Sequence, residues 1–182
     1  MANYHLVAKT ISRARGQSAI AAAAYRAGEK LEDERTGEIS DYTRKNDIDY
    51  SQIMLPTNAP SQLANRATLW NTVEAKENRK DSQVAREVEL SLPTELTPEQ
   101  NIELLCEFIQ GEFIALGMIA DANCHKLKSH NPHAHVMLTM REFTQNGFGP
   151  KNRTWNDKKL IEHWRQKWAE FTNVHLKKTA MV

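Results

Sequence analysis

Three histidines in a short run, His125, His133 and His135, are spaced so that they could meet on one side of a β-hairpin. Strand alternation sends residues i and i+2 to the same face, so His133 and His135 share one side. Ala134, Val136, Leu138 and Met140 then turn to the other. A chain reversal around Ser129 puts His125 opposite His133, with Cβ atoms roughly 4.5–5.5 Å apart. Three neutral imidazoles gathered this way can bind a divalent metal and leave coordination positions open, as catalytic sites do. His130 falls in the proposed loop and is left out. A histidine taken alone is more often a surface or satisfied core residue. The apolar phase of the opposite face is what favours the metal here.

A second candidate lies upstream, in Gln17–Gly28, where Tyr25 stands in a bed of alanines. Alanines let a helix approach a sheet closely. A phenolate can attack phosphorus or carbon and form a covalent intermediate. A free phenol ionises only near pH ~10, so such chemistry at neutral pH needs a metal or a base. By its local sequence alone, Tyr25 is more simply a ring that packs. Joined to a metal site it suggests more. A metal on a phosphate polarises the phosphoryl oxygens and orients the bond for in-line attack. A phosphotyrosine conserves the bond energy, which matters only if the strand is later rejoined.

These groups need a scaffold, and the pattern supplies about five strands and four helices. Residues 5–11 read as an opening strand and 17–31 as an alanine-rich helix. Residues 32–46 are charged and read as a loop or short excursion. A strand over 48–55 closes at Pro56, and a polar helix runs from Ser61 to about Glu77. Residues 84–92 alternate cleanly, with Val88, Leu90 and Leu92 inward and Glu87, Glu89 and Ser91 outward. Thr97, Pro98 and Gln100 make a capping-box start for a helix that stops at Gly117. The histidine strands span roughly 118–127 and 133–143, followed by a turn at Gly147 and a loop over 148–155. Asn156 or Asp157 caps a last helix whose Leu160, Trp164, Trp168 and Phe171 share a face. The expected fold is a single α+β domain with an antiparallel sheet and helices on one sheet face. The other face would carry Glu87, Glu89, Asn123, His125, His133 and His135.

Bulk properties set limits. The 182 residues suit one domain with a real core, and 40% apolar with 26% charged residues reads as soluble. A net charge of +1 does not announce a nucleic-acid binder, so DNA contact must rest on local patches. No apolar stretch approaches the roughly 20 residues of a membrane helix, and the N-terminus lacks a secretory layout. Cys106 and Cys124 make no disulfide framework or ligand spacing, so a reducing cytoplasm is the default and Cys106 reads as a buried thiol.

The residues also carry a resemblance. Tyr4-His5-Leu6, Ala8-Lys9, Gly16-Gln17-Ser18-Ala19 and Tyr25-Arg26 resemble the N-terminus of MobA/MobL-type plasmid mobilisation relaxases. The run Asp33–Glu38 looks especially like the relaxase domain of conjugative TraA proteins. Val84–Glu89, Asn131–Met137 and Gly147–Arg153 extend the match in the family's order over nearly the whole chain. The resemblance implies a histidine-metal (HUH-type) fold, an antiparallel sheet of about five strands flanked by helices. It implies that Tyr25 nicks one strand at a plasmid origin of transfer, leaving a 5′-phosphotyrosine for later religation. His125, His133 and His135 correspond to the family's cluster for magnesium or manganese. Glu87 falls on the acidic strand motif, where it would orient a histidine or help deprotonate Tyr25; Glu89 is second choice. Expected partners are single-stranded DNA at that origin, and relaxosome proteins and a coupling protein through a longer chain. The expected setting is the bacterial cytoplasm, with transfer alongside the DNA strand. Residues 1–178 are expected as the relaxase domain and 179–182 as a tail at the truncation point of a longer protein.

Candidates for backbone contact are Arg13, Arg15, Lys126, Lys128, Lys151 and Arg153, with Phe148 or Trp155 for base stacking at roughly 1–3 kcal/mol each. Three rivals remain at this level. One is a rolling-circle initiator or transposase-like nuclease with the same chemistry. Another is a metal hydrolase in which Tyr25 is structural. The third is a DNA-binding module whose histidines never load metal.

Overall fold

The alternation of residues 84–92 makes an interior strand of the main sheet in the computed structural model, which describes residues 3–181. Met1, Ala2 and Val182, the last of them in the expected tail, lie outside the described residues. The strands are β1 (Leu6–Ser12), β2 (Lys30–Glu32), β3 (Ile39–Asp41), β4 (Ile48–Met54), β5 (Gln83–Ser91), β6 (Ala120–His125), β7 (His133–Leu138), β8 (Arg141–Thr144) and β9 (Gly147–Lys151). The helices are α1 (Ala19–Ala27), α2 (Arg66–Lys76), α3 (Pro98–Glu112) and α4 (Lys158–Ala180). Five strands form one antiparallel sheet in the order β1-β5-β7-β6-β4. The pairs β2-β3 and β8-β9 are separate hairpins.

One sheet face carries Val88, Leu90, Ala120, Ala122, Cys124, Ala134, Val136 and Leu138, all buried against α3 and α4. Phe108 anchors this layer, with edge-on rings of Phe113 at 5.3 Å and Trp168 at 5.0 Å. Thr97, Pro98 and Gln100 form the expected capping box of α3. Asp157 caps α4, which continues through Lys178 to Ala180.

The expectation of helices on one face only is corrected. Ala19, Ile20, Ala23 and Ala24 of α1 and Leu69, Trp70 and Val73 of α2 pack against Ile53, Ala85 and Met137 on the opposite face. Small side chains allow this close approach. The polar groups left under the helices are satisfied as a network. Asp121, fully buried, accepts from Arg66 Nε and Nη2 at 2.8 Å each, from Trp70 Nε1 at 2.9 Å and from Asn123 Nδ2 at 3.1 Å. Arg66 further reaches Glu29 and Ser51, both at 2.7 Å.

Other boundaries shift for local reasons. Helix α1 ends at Gly28, not Leu31, because Gly28 takes a left-handed φ of 66° that closes the helix. A Cβ there would stand 2.7 Å from Ile48 Cδ1, so a larger residue would also require the tip of that side chain to shift. The polar helix breaks at Asn65, whose side chain accepts from Thr68 N and restarts it as α2. The loop expected over 148–155 is instead β9 as far as Lys151, paired with β8 across Gly147 at φ 93°, followed by a 3-10 turn over Arg153–Asn156. Cys106 is only half-buried, 3.4 Å from Tyr50 Oη, and Cys124 is the buried thiol.

Candidate metal centre and nucleophile

The β6–β7 register places His125 directly opposite His133, and Asn123 opposite His135. The three rings lie with centroids 5.4, 4.9 and 5.3 Å apart. One ligand-capable nitrogen from each lies within 4.8 Å of the others. His130 is exposed in the loop, outside this group.

Each ring is oriented by an oxygen that can only accept. His125 Nε2 donates to the Arg26 carbonyl at 2.7 Å. His133 Nδ1 donates to the Asn131 carbonyl at 2.9 Å, and His135 Nδ1 donates to Glu87 Oε1 at 2.9 Å. Each imidazole therefore keeps one lone-pair nitrogen for a cation. Outer acceptors that fix the tautomer and raise ring basicity are the usual support of metal-binding histidines. The donor set fits a divalent ion. Burial foremost, together with the charges of His135 and Lys45, pushes the His125 ring below its ordinary value against the opposing Arg26 carbonyl and Asp47. The neutral ring is the one that can ligate.

Glu87 sits under the cluster with only 3% exposure. Its second oxygen pairs with Arg26 Nη2. Burial raises its carboxyl, but the His135 hydrogen bond and the Arg26 charge outweigh that and hold it below the usual carboxylate range. Glu89 is half-buried and faces His135 in the β5–β7 register. It also groups with Glu87 and His135 within 4.8 Å.

Tyr25, on the last turns of α1, is 49% exposed. Its ring meets Tyr42 edge-on at 5.1 Å, and Lys45 Nζ lies 3.7 Å over its face. The Lys45 ammonium also donates to the Tyr25 carbonyl at 2.9 Å. The next residue carries the contacts to His125 and Glu87, so the turn bearing the phenol abuts the histidine cluster. Arg26, Lys45 and Asn131 had no assigned role in the sequence. The Tyr25-Arg26 pair was visible there, but its partners lie on distant strands.

The MobA/MobL family model matches residues 17–181, which contain all of these groups. The chain belongs to the MobA/MobL family. It is 37% identical over 97% of its length to the conjugal transfer protein TraA of Rhizobium radiobacter, of which it spans 19%. It is 36% identical to the mobilization protein MobL of Acidithiobacillus ferridurans over 97% of this chain and 55% of that protein. A solved structure described as "Molecular Basis of Vancomycin Resistance Transfer in Staphylococcus aureus" superposes with a TM-score of 0.94 at 42% identity, covering 98% of this chain and 94% of the other. The fold of this MobA/MobL chain is thus the HUH-type relaxase fold, a five-stranded antiparallel sheet flanked by helices.

The cations named for DNA contact separate in this MobA/MobL chain. Arg13 is consumed inside the protein: it donates to Glu74 Oε2 at 2.6 Å and to the Glu77 carbonyl at 2.7 Å. Lys151 holds the Gln83 carbonyl at 2.8 Å and pairs with Glu77 at 3.2 Å. Arg15 bonds Thr10 Oγ1 at 3.1 Å from an exposed position. Lys126 and Lys128 are exposed beside the histidine hairpin turn, and Arg153 is exposed elsewhere. The expectation of Phe148 and Trp155 as stacking surfaces is corrected. They are 6% and 5% exposed and belong to the two cores. No described helix is long and apolar enough to cross a membrane.

Proposed function

We propose that this chain is a conjugative relaxase unit that nicks one DNA strand at a plasmid origin of transfer. The observation that carries the reading is the fastening of the Tyr25-Arg26 turn to a three-histidine cluster. Tyr25 Oη attacks phosphorus as its proton passes to water. The P–O3′ bond breaks, the 3′ oxygen takes a proton from water and leaves as a hydroxyl, and the 5′ phosphate stays on Tyr25. Religation reverses these bonds.

His125, His133 and His135 would hold magnesium or manganese, which when bound polarises the scissile phosphate and orients it for in-line attack. Glu87, with both oxygens engaged, is better suited to orienting His135 than to taking the phenol proton. Glu89, opposite His135 in the register, is the second choice for that role. Of the cations considered for DNA contact, Lys126, Lys128, Arg15 and Arg153 are the exposed ones. In this reading residues 1–178 carry the nicking chemistry, and its partners in a bacterial cytoplasm are relaxosome and coupling proteins.

The test incubates the protein and Tyr25→Phe with labelled single-stranded oligonucleotides spanning the cognate transfer origin, with magnesium or manganese. A covalent adduct on a denaturing gel, lost in Tyr25→Phe, supports the reading. Cleavage retained by Tyr25→Phe without an adduct would favour metal-activated water. Adducts at replication origins but never at a transfer origin would favour an initiator.

A further inference from the structure

We propose that Arg26 is a positioning residue that locks the nucleophile's helix to the metal centre. This inference rests on the proposed relaxase reading. Arg26 makes two ties of different kinds. Its backbone carbonyl accepts from His125 Nε2 at 2.7 Å, and its guanidinium Nη2 pairs with Glu87, which holds His135 at 2.9 Å. The residue after Tyr25 is thus joined to two of the three histidines by a single intermediate at most.

The side-chain tie is demanding. Arg26 and Glu87 have side-chain exposures of 19% and 4%, so their pairing is largely desolvated. Removing one partner strands the other charge in a poorly solvated place. Nη1 donates to the Ala22 carbonyl at 2.9 Å and fixes the guanidinium along its own helix. Buried Nε has no hydrogen-bond partner among the described residues. The guanidinium accepts that loss while keeping Nη2 on Glu87. A lysine supplies the charge but not two directed contacts at once. The carbonyl tie survives any substitution, so a change at position 26 isolates the guanidinium's share. Reaction geometry makes that share matter, because a misplacement of about 1 Å can cost about 100-fold in rate.

The experiment compares wild type, Arg26→Ala, Arg26→Lys, Glu87→Gln and the double variant Arg26→Ala/Glu87→Gln. Three quantities are read: Mn2+ affinity by calorimetry, oligonucleotide affinity by anisotropy, and the single-turnover rate of adduct formation. Arg26→Ala is expected to lose about 10-fold in Mn2+ affinity, through the loosened Glu87–His135 pair. It is expected to lose about 100-fold in adduct rate with oligonucleotide affinity within about threefold. Arg26→Lys recovers the metal affinity but only part of the rate, and added guanidinium restores rate to Arg26→Ala. The double variant is no worse than Arg26→Ala, since both act on one chain of contacts. Wild-type rate and metal affinity in Arg26→Ala would overturn the proposal. So would losses that add in the double variant, or a rate loss matched by equal loss of oligonucleotide affinity. Arg26→Lys carries the same comparison if Arg26→Ala does not fold. Absence of any adduct in wild type, with the Mn2+ shift intact, would count against the relaxase reading while leaving the tie to the metal centre standing.

Discussion

Glu87 Oε1 receives the Nδ1 hydrogen of His135 across 2.9 Å, although Glu89, not Glu87, stands opposite His135 in the β5–β7 register. The contact is therefore diagonal across the strands, within reach only because both side chains are long and share a face. It leaves His135 Nε2 with its lone pair outward. It also ranks two glutamates that the sequence could order only by motif.

Glu87→Gln should weaken Mn2+ binding by about 10–100-fold, the usual effect of removing an outer partner of a metal ligand. Glu89→Gln should cost less, since no hydrogen bond ties Glu89 to the ring. Calorimetric titration of both variants decides the matter. Equal losses, or a larger one for Glu89→Gln, would show that the diagonal contact is not what orients His135.

Alanine at His125, His133 or His135 should each abolish high-affinity Mn2+ uptake, and His130→Ala should leave it unchanged. The distinction follows from the cluster, in which only the first three bring a nitrogen within 4.8 Å of the others. Equilibrium dialysis measures it directly. Addition of EDTA to wild type should stop adduct formation in the same range where metal is stripped. Adduct formation that persists in EDTA would remove the metal from the reaction.

Asp121→Ala should be the most destabilising change on this sheet face. Arg66, Trp70 and Asn123 would all lose their acceptor, and a buried guanidinium would lose a charge partner. Breaking such a pair costs about 3–5 kcal/mol. For a chain of this size that corresponds to a fall of about 10 °C in Tm. Scanning calorimetry would contradict the buried-network account if Tm moved by less than about 2 °C.

The histidine register was legible because period-two alternation constrains both faces of β7 at once, and His125 opposite His133 follows from one turn at Ser129. The start of α3 was legible for a similar reason, since Thr97, Pro98 and Gln100 act within one turn. What escaped were features set by distant contacts. The alanine face of α1 was visible, but its seat on Met137 and Ala85 was not. β9 was hidden because Pro150 argues against a strand, yet a separate two-stranded hairpin tolerates it. Trp155 looked like a stacking platform until α4 and the sheet closed over it. Arg26 stood in a motif beside Tyr25, but its role was not legible because its partners, Glu87 and His125, lie on distant strands.

Glu77 should give the fold a measurable acid sensitivity. Burial raises its carboxyl, but hydrogen bonds and charge from Arg141 and Lys151 prevail and hold it below its ordinary value of 4.5. A carboxylate lowered on folding adds stability above its unfolded value and loses it as pH falls through the folded one. The gap in stability between wild type and Glu77→Gln should therefore be full near neutrality and close below pH 4.5. Urea unfolding of both proteins across that range tests it. A gap that stays constant with pH would mean the Arg141 and Lys151 contacts do not favour the ionised form.

Lys128 and Arg13, equal candidates for DNA contact in the sequence, should now respond in opposite ways. Lys126 and Lys128 project from the turn beside the histidine cluster with no side-chain partner among the described residues, so their charge is available to a phosphate backbone. Replacing both with glutamine should weaken binding of single-stranded oligonucleotides at every sequence. It should also reduce the slope of log K against log salt by about 1.4, about 0.7 for each lost contact to a single strand. Folding stability should stay within about 0.5 kcal/mol, as for other exposed positions. Arg13→Gln should do the reverse. It takes from Glu74, 1% exposed, the nearer of its two cations, leaving Arg35 at 3.9 Å, and releases carbonyls at the end of α2, so stability falls while the salt slope holds. Anisotropy titrations across a salt series, paired with urea melts, separate the two behaviours. An unchanged slope in the lysine double variant would move the DNA path away from the histidine hairpin, toward Arg15 and Arg153.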